Sequence, residues 1–201
     1  MFYLTRINEY PSIIDEIYVM GYDRFDYLYE LSKTSEKYEK LTKNRFFKVN
    51  IEKGRKFEKL CVDRFANKES SEYIKLKNKF NADFNKNLDE YELFSQVQLF
   101  YCEQQVNYFI ADHLFVKFAG DEIVDFVIIE DKLKNSTSFT KNQGEAFKCV
   151  SFKVRNESKK SVGGFELKSH DNLYFNDFRQ IYKVYDSDEG DAISDIVLIE
   201  D

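Results

Sequence analysis

Two acids and a lysine stand out by type and spacing: Asp112, seventeen intervening residues, then Glu130-Asp131-Lys132. Carboxylates are hard oxygen ligands, suited to Mg²⁺, and an ammonium beside them can hold developing negative charge. The stretch before Glu130, Ile123 to Ile129, is almost unbroken apolar sequence, as in a strand covered on both faces. Such a strand should not end in carboxylate, carboxylate, ammonium without a reason, because unpaired buried charge is costly. Strand alternation places Glu130 and Lys132 on one face and Asp131 on the other. An odd-numbered loop centred near Asp121 sets Asp112 directly opposite Glu130. Asp112, Glu130 and Lys132 then converge at the rim of a sheet, as a metal-and-water site requires.

Those residues need elements to hold them. The segment 110–118 reads as one strand and 123–132 as its antiparallel partner, with Tyr91–Tyr101 as the strand before them. Upstream, Pro11 opens a helical pattern, Lys33–Lys53 reads as a connector or the end of a small N-terminal subdomain, and Gly54 opens a short helix with Phe57, Leu60, Cys61 and Phe65 inward. A second helix follows with Tyr73, Leu76 and Phe80 as anchors. Downstream, Thr140 with Gln143 three residues on is a capping box, predicting a helix across TKNQGEAFKCVSFKV. Strand-like pieces between Gly164 and Tyr185 and a last strand at AISDIVLI complete the chain. Helix, three strands, helix, strands describes an α/β fold with a mixed sheet. The division expected is a helical extension over 1–50 and the main domain over 51–201.

With 201 residues, 43% of them hydrophobic and 17% aromatic, the chain can bury a large core and is not globally disordered. No stretch approaches a membrane span, and the first residues lack a signal-peptide pattern. Cys61, Cys102 and Cys149 read as three buried thiols of a reducing compartment, hence a cytoplasmic protein. The two histidines exclude a histidine-rich metal centre. Net charge is −6, which argues against a generic nucleic-acid coat, yet Lys/Arg-rich blocks at 33–79 and 132–168 bracket an acidic middle. A basic rim around an acidic centre is what a phosphodiester substrate requires.

Glu-x-Lys occurs three times, at Glu130-Lys132, Glu157-Lys159 and Glu166-Lys168, and only the first ends a buried-strand pattern paired with an acid. The Asp112…Glu130-x-Lys132 pattern resembles the PD-(D/E)XK, or restriction-endonuclease-like, nuclease superfamily. Gly54-x-x-Phe57-Glu58 matches the acid on the helix preceding the sheet, and Gln143 the glutamine downstream of the lysine. Thr137, Thr140 and Gln143 are spaced as in the nuclease domains of bacterial polymorphic toxins and effectors. Ala111 replaces the family's proline, and the arginine some toxin members carry before the aspartate is absent. The resemblance covers about residues 54–155.

The resemblance implies a mixed central sheet flanked by helices and a Mg²⁺- or Mn²⁺-dependent phosphodiester hydrolase. Asp112, Glu130, the Asp131 carbonyl and Glu58 would hold metal, while Lys132 and Gln143 would attend the attacking water. It further implies nucleic acid as partner, DNA ahead of RNA, and a cognate immunity protein. The rivals are a tRNA-cleaving RNase on the same fold, a catalytically inactive nuclease-like binding module, and an unrelated α/β protein carrying a chance motif. His113 reads as core or solvated, and Asp125 and the Asp131 side chain as salt-bridge partners.

Overall fold

The computed structural model describes residues 36–102, 104–155, 159–161, 163–176, 178–186 and 191–199, with side chains from Asn50 onward except Gln104 and Gln105. The helix expected after Pro11 lies outside them. The chain divides into two compact units, residues 1–53 and 54–201. Helix α1 is Glu36–Ala66 and α2 is Ser71–Phe84. A 3-10 turn at Leu88–Glu90 leads to β1, Glu92–Tyr101, β2, Gln104–Ala119, and β3, Glu122–Lys132. Next come α3, Lys141–Ala146, and β4, Ser151–Val154. The pair β5, Lys159–Lys160, and β6, Glu166–Leu167, forms a separate small sheet. Strands β7, Asn172–Tyr174, β8, Ile181–Tyr185, and β9, Asp195–Leu198, complete the main sheet.

That sheet is mixed and seven-stranded, in the order β7-β4-β1-β2-β3-β8-β9, with β8 parallel to β3 and the other pairs antiparallel. The β2–β3 hairpin is central, which explains why β3 is buried without interruption from Asp125 to Asp131. One core cluster joins Phe57, Cys61 and Phe65 of α1 and Tyr73, Leu76 and Phe80 of α2 to Phe115, Val127 and Ile129. The other gathers Ala146 and Phe147 at the end of α3 with Phe109, Leu114, Phe126 and Ile128. Helices therefore flank both faces. Among the described residues no helix is long and apolar enough to cross a membrane.

Three expectations change. Gly54 does not open a helix: α1 runs continuously through it from Glu36, taking in the charged segment up to Lys53. Its Lys- and Glu-rich sequence has good helix propensity despite few apolar anchors, and one interior glycine does not stop it. Helix α3 stops at Ala146, and Ser151–Val154 is a strand, because Phe152 and Val154 alternate into the core while Lys153 faces outward. The third concerns the cysteines. Cys61 is free and buried, but Cys102 and Cys149 form a disulfide with Cα atoms 5.3 Å apart, so the thiol argument for a reducing compartment falls.

The bridge closes a loop of sequence separation 47 that contains Asp112, Glu130, Lys132 and Gln143. Cross-linking a loop of that size restricts the unfolded chain, worth about 4 kcal/mol on the chain-entropy account. Reduction, or Cys102→Ser, is expected to lower the denaturation midpoint correspondingly, as urea melts with and without reductant would show.

The hairpin register has a physical lesson. The loop has two residues, Gly120 and Asp121, with Gly120 at φ 64°. A register shift beyond it pairs Phe118 with Ile123 but Lys117 with Asp125, leaving Val124 as the extra residue. Loop plus bulge restore the offset that an odd loop alone would give. His113 thus pairs with Ile129, and Asp112 falls beside Glu130.

Candidate metal centre at the β2–β3 rim

Alternation breaks where β1 and β2 pass the site. Phe94 and Val97 enter the same core cluster, as do Ala111 and Leu114, so both strands reverse faces near Gln96 and Asp112. Gln96 takes a left-handed φ of 54° to do so. Such irregularities re-aim side chains beside functional sites. Here the break lets Asp112 turn toward β3: its Oδ2 accepts from the Asp131 backbone N–H at 2.9 Å, and its Oδ1 accepts from Gln96 Nε2 at 3.3 Å. The period break in Phe94-x-x-Val97 and Ala111-x-x-Leu114 was the available signal for this bend.

Glu130 is wholly buried on the α3 side. Its Oε2 accepts from Gln143 Nε2, and Lys132 Nζ stands 3.6 Å from the same oxygen. Glu130 Oε1 has no hydrogen-bond partner. Burial raises the Glu130 pKa well above the ordinary carboxylate range, and the neighbouring charge of Asp112 adds to it against the opposing pull of Lys132. Gln143 does two jobs that the sequence offered as alternatives. Its Oε1 accepts from the Thr140 N–H at 3.0 Å, completing the capping box, and from Lys132 Nζ at 3.3 Å. Glu58, on α1, is half buried, and burial followed by the charges of Asp112 and Asp131 raises its pKa. Asp112, Glu130, Lys132 and Gln143 are therefore gathered, with Glu58 within their electrostatic reach.

The Asp131 side chain points to the opposite face, as alternation requires, and meets His113: Nε2 lies 2.7 Å from Oδ2, with both side chains almost completely buried. Burial is the largest influence on the His113 pKa and acts to lower it, but Asp131, Asp112 and Glu58 together outweigh it and the net shift is upward. Cys61 adjoins the pair, and burial pushes its thiol well up. One ligand atom each from Cys61, His113 and Asp131 lies within 4.8 Å of the others. This buried cluster could hold a metal ion, and its thiolate, imidazole and carboxylate suit zinc better than magnesium. The expected donor set, by contrast, is all oxygen: Glu130 sits on the other side of the strand, whereas Glu58 comes from α1, on the side of this cluster. His113 Nδ1 and Asp131 Oδ1 have no hydrogen-bond partner.

Lys183 carried no sequence signal. The parallel β3–β8 pairing sets it beside Glu130, and its Nζ donates to the carbonyls of Asn135 and Thr137. It thereby ties down the loop before the α3 cap, with its own pKa lowered by burial and by Lys132. Asp125, expected in a salt bridge, accepts from Lys86 Nζ, the Tyr91 hydroxyl and Gln180 Nε2. Of the rejected motifs, Glu166 lies exposed in β6, and Glu157 lies outside the described residues.

No protein-family model, curated protein or solved structure matches this chain. The class the structure defines is a mixed α/β protein with a central sheet flanked by helices and a cluster able to hold a metal ion.

Proposed function

We propose that the protein is a metal-dependent nuclease of restriction-endonuclease-like architecture, a toxin or effector domain acting on DNA. The observation that carries the reading is the convergence of Asp112, Glu130, Lys132 and Gln143 at one sheet rim. Glu130 favours a cation in particular: it is a buried carboxyl with one oxygen unpartnered, so a hard divalent ion would satisfy what the protein leaves open. Asp112 and Glu130, with the Asp131 carbonyl, would hold Mg²⁺ or Mn²⁺, and Glu58 would bind a second ion or a water. Such an ion supplies charge neutralisation at a phosphate oxygen and lowers the pKa of an attacking water.

The chain's own groups do the rest. Lys132 places a cation beside the carboxylates, where negative charge grows during phosphodiester attack. Gln143 fixes Lys132 and Glu130 from a capped helix, so neither must be ordered during reaction. Lys183 holds the loop from which that helix starts. A tRNA-cleaving activity uses the same groups, and the substrate assay separates the two. A cognate immunity partner belongs to this reading.

The test is incubation with plasmid DNA and with total tRNA, each with Mg²⁺ or EDTA. Cleavage is expected only with metal; no loss of either substrate would overturn the reading. Lys132→Ala is expected to bind metal normally yet lose about 10²–10³-fold in rate, while Glu166→Ala leaves the rate unchanged. Loss in Glu166→Ala with none in Glu130→Ala would show that the wrong Glu-x-Lys was chosen.

The charge blocks give a further expectation. Lys75, Lys77 and Lys79 are paired with Asp195, Asp89 and Asp83, so fewer cations face a substrate than the sequence suggests. Affinity should still fall as salt rises, because phosphate contact releases counterions. The slope of affinity against salt in filter binding measures how many contacts remain.

A further inference from the structure

Among the described residues, the helices of residues 54–201 leave part of the main sheet uncovered. Helices α1 and α2 pack over the second half of β2 together with β3 and β8, through Phe115, Val127, Ile129 and Tyr182. Beyond Asp112, toward the β1–β2 turn, the sheet face opposite α3 is formed by the end of β1, the start of β2, and β4. Its outward residues are Phe100, Val106, Tyr108, Ile110, Lys153 and Arg155. None of them belongs to either core cluster. Val106 is 82% exposed and Ile110 40%.

This face is layered, not merely apolar. The Arg155 guanidinium lies 3.6 Å from the Tyr108 ring centroid and 5.8 Å from that of Phe100. Gln98 Oε1 holds it from the side, accepting from Nη1 at 3.0 Å. Lys153 is the cross-strand neighbour of Phe100. Along β2 the same face leads from Tyr108 to Ile110, two residues before Asp112. In a chain of net charge −6, these six outward positions carry two cations and no carboxylate.

We propose that this sheet face is a docking track for single-stranded nucleic acid. The inference goes beyond the nuclease reading and does not rest on it, because the face lies on the side of the sheet away from Glu130, Lys132 and Gln143. The planar Arg155 guanidinium, backed by the half-buried Tyr108 and Phe100 rings, can stack on bases whose faces are free, while Lys153 meets the phosphates. In a duplex those base faces are hidden, so an intact helix would gain only the charge contacts. DNA and RNA strands share the required faces, and both must be tried.

The experiment measures fluorescence anisotropy in EDTA, where cleavage cannot interfere. The probes are a labelled homopyrimidine DNA strand, the corresponding RNA strand, and a duplex of the same length. Wild type is expected to bind at least one strand more tightly than duplex. Tyr108→Ala should weaken strand binding about tenfold, Tyr108→Phe should retain it, and Arg155→Ala should lose a similar factor. The exposed Val106→Asp provides a change that does not disturb packing, should Tyr108→Ala unfold by thermal melt; it too should weaken binding. Equal affinity for duplex and strand, or wild-type affinity in Arg155→Ala and Val106→Asp, would overturn the track. Metal-dependent cleavage surviving beside that result would leave the nuclease reading standing. A protein whose strand binding follows the expected pattern but which never cleaves would keep the track and lose the nuclease.

Discussion

Asp112→Asn is expected to leave a folded protein that no longer cleaves nucleic acid in the presence of Mg²⁺. The substitution keeps the shape, and the amide oxygen can still accept from the Asp131 N–H that now holds Oδ2. What disappears is a negative charge beside Glu130, and with it a ligand of the proposed metal. Outer-shell partners of metal sites are each worth roughly 10–100-fold, so an inner carboxylate should cost more than that. Asp112 is only half buried, and its loss leaves no cavity. A plasmid-nicking time course with a thermal melt as companion reads both halves. Retained cleavage would remove Asp112 from the metal site; loss of cleavage with loss of fold would show that its role is structural.

What the sequence could show of this site depended on how local the signal was. The hairpin was legible because β3 combines an apolar run with a sharp polar end, and strand period alone separates Glu130 and Lys132 from Asp131. Gln143 was legible through its cap. Lys183 was not, since it reaches the site only through parallel pairing of β3 with β8, a contact that spans the whole α3–β7 region. The bend at Gln96 and Asp112 was written in a broken alternation but needed the partner strand to be seen. The Cys102–Cys149 bridge was missed because three well-spaced cysteines define no pairing; closure depends on β4 lying against β1, and β4 had been read as helix. The Cys61–His113–Asp131 cluster joins a helix to two strands. Cys61 was read as inward-facing, His113 as core or solvated and the Asp131 side chain as a salt-bridge partner, while their meeting was a property of packing.

The two donor sets sit back to back across β3, and that arrangement bears on stability. Asp131 directs its side chain to His113 and its N–H to Asp112. The strand end therefore has protein partners on both sides, and each side also keeps unpaired buried atoms: His113 Nδ1 and Asp131 Oδ1 toward α1, Glu130 Oε1 toward α3.

Glu130→Gln is accordingly expected to abolish cleavage and to stabilise the metal-free protein. A glutamine carbonyl can go on accepting from Gln143, while its NH₂ faces Asp112 as a donor in place of a second acid. Relieving a buried unsatisfied polar group is worth about 1–3 kcal/mol, which should appear as a higher melting temperature in EDTA. The pH dependence has a definite sign. Glu130 has its folded pKa raised above the ordinary value of 4.5, so the native state binds the proton more tightly than the unfolded chain. Wild type should therefore gain stability as pH falls from neutral toward that value, and Glu130→Gln should lack this component. Mg²⁺ should likewise raise the wild-type melting temperature, by binding only the native state, while leaving that of Glu130→Gln nearly unmoved. Melts of both proteins across pH, with EDTA and with Mg²⁺, test the whole chain of reasoning. A Glu130→Gln protein that is less stable than wild type in EDTA would mean that the carboxyl is satisfied as it stands, and that it is no vacancy for a cation.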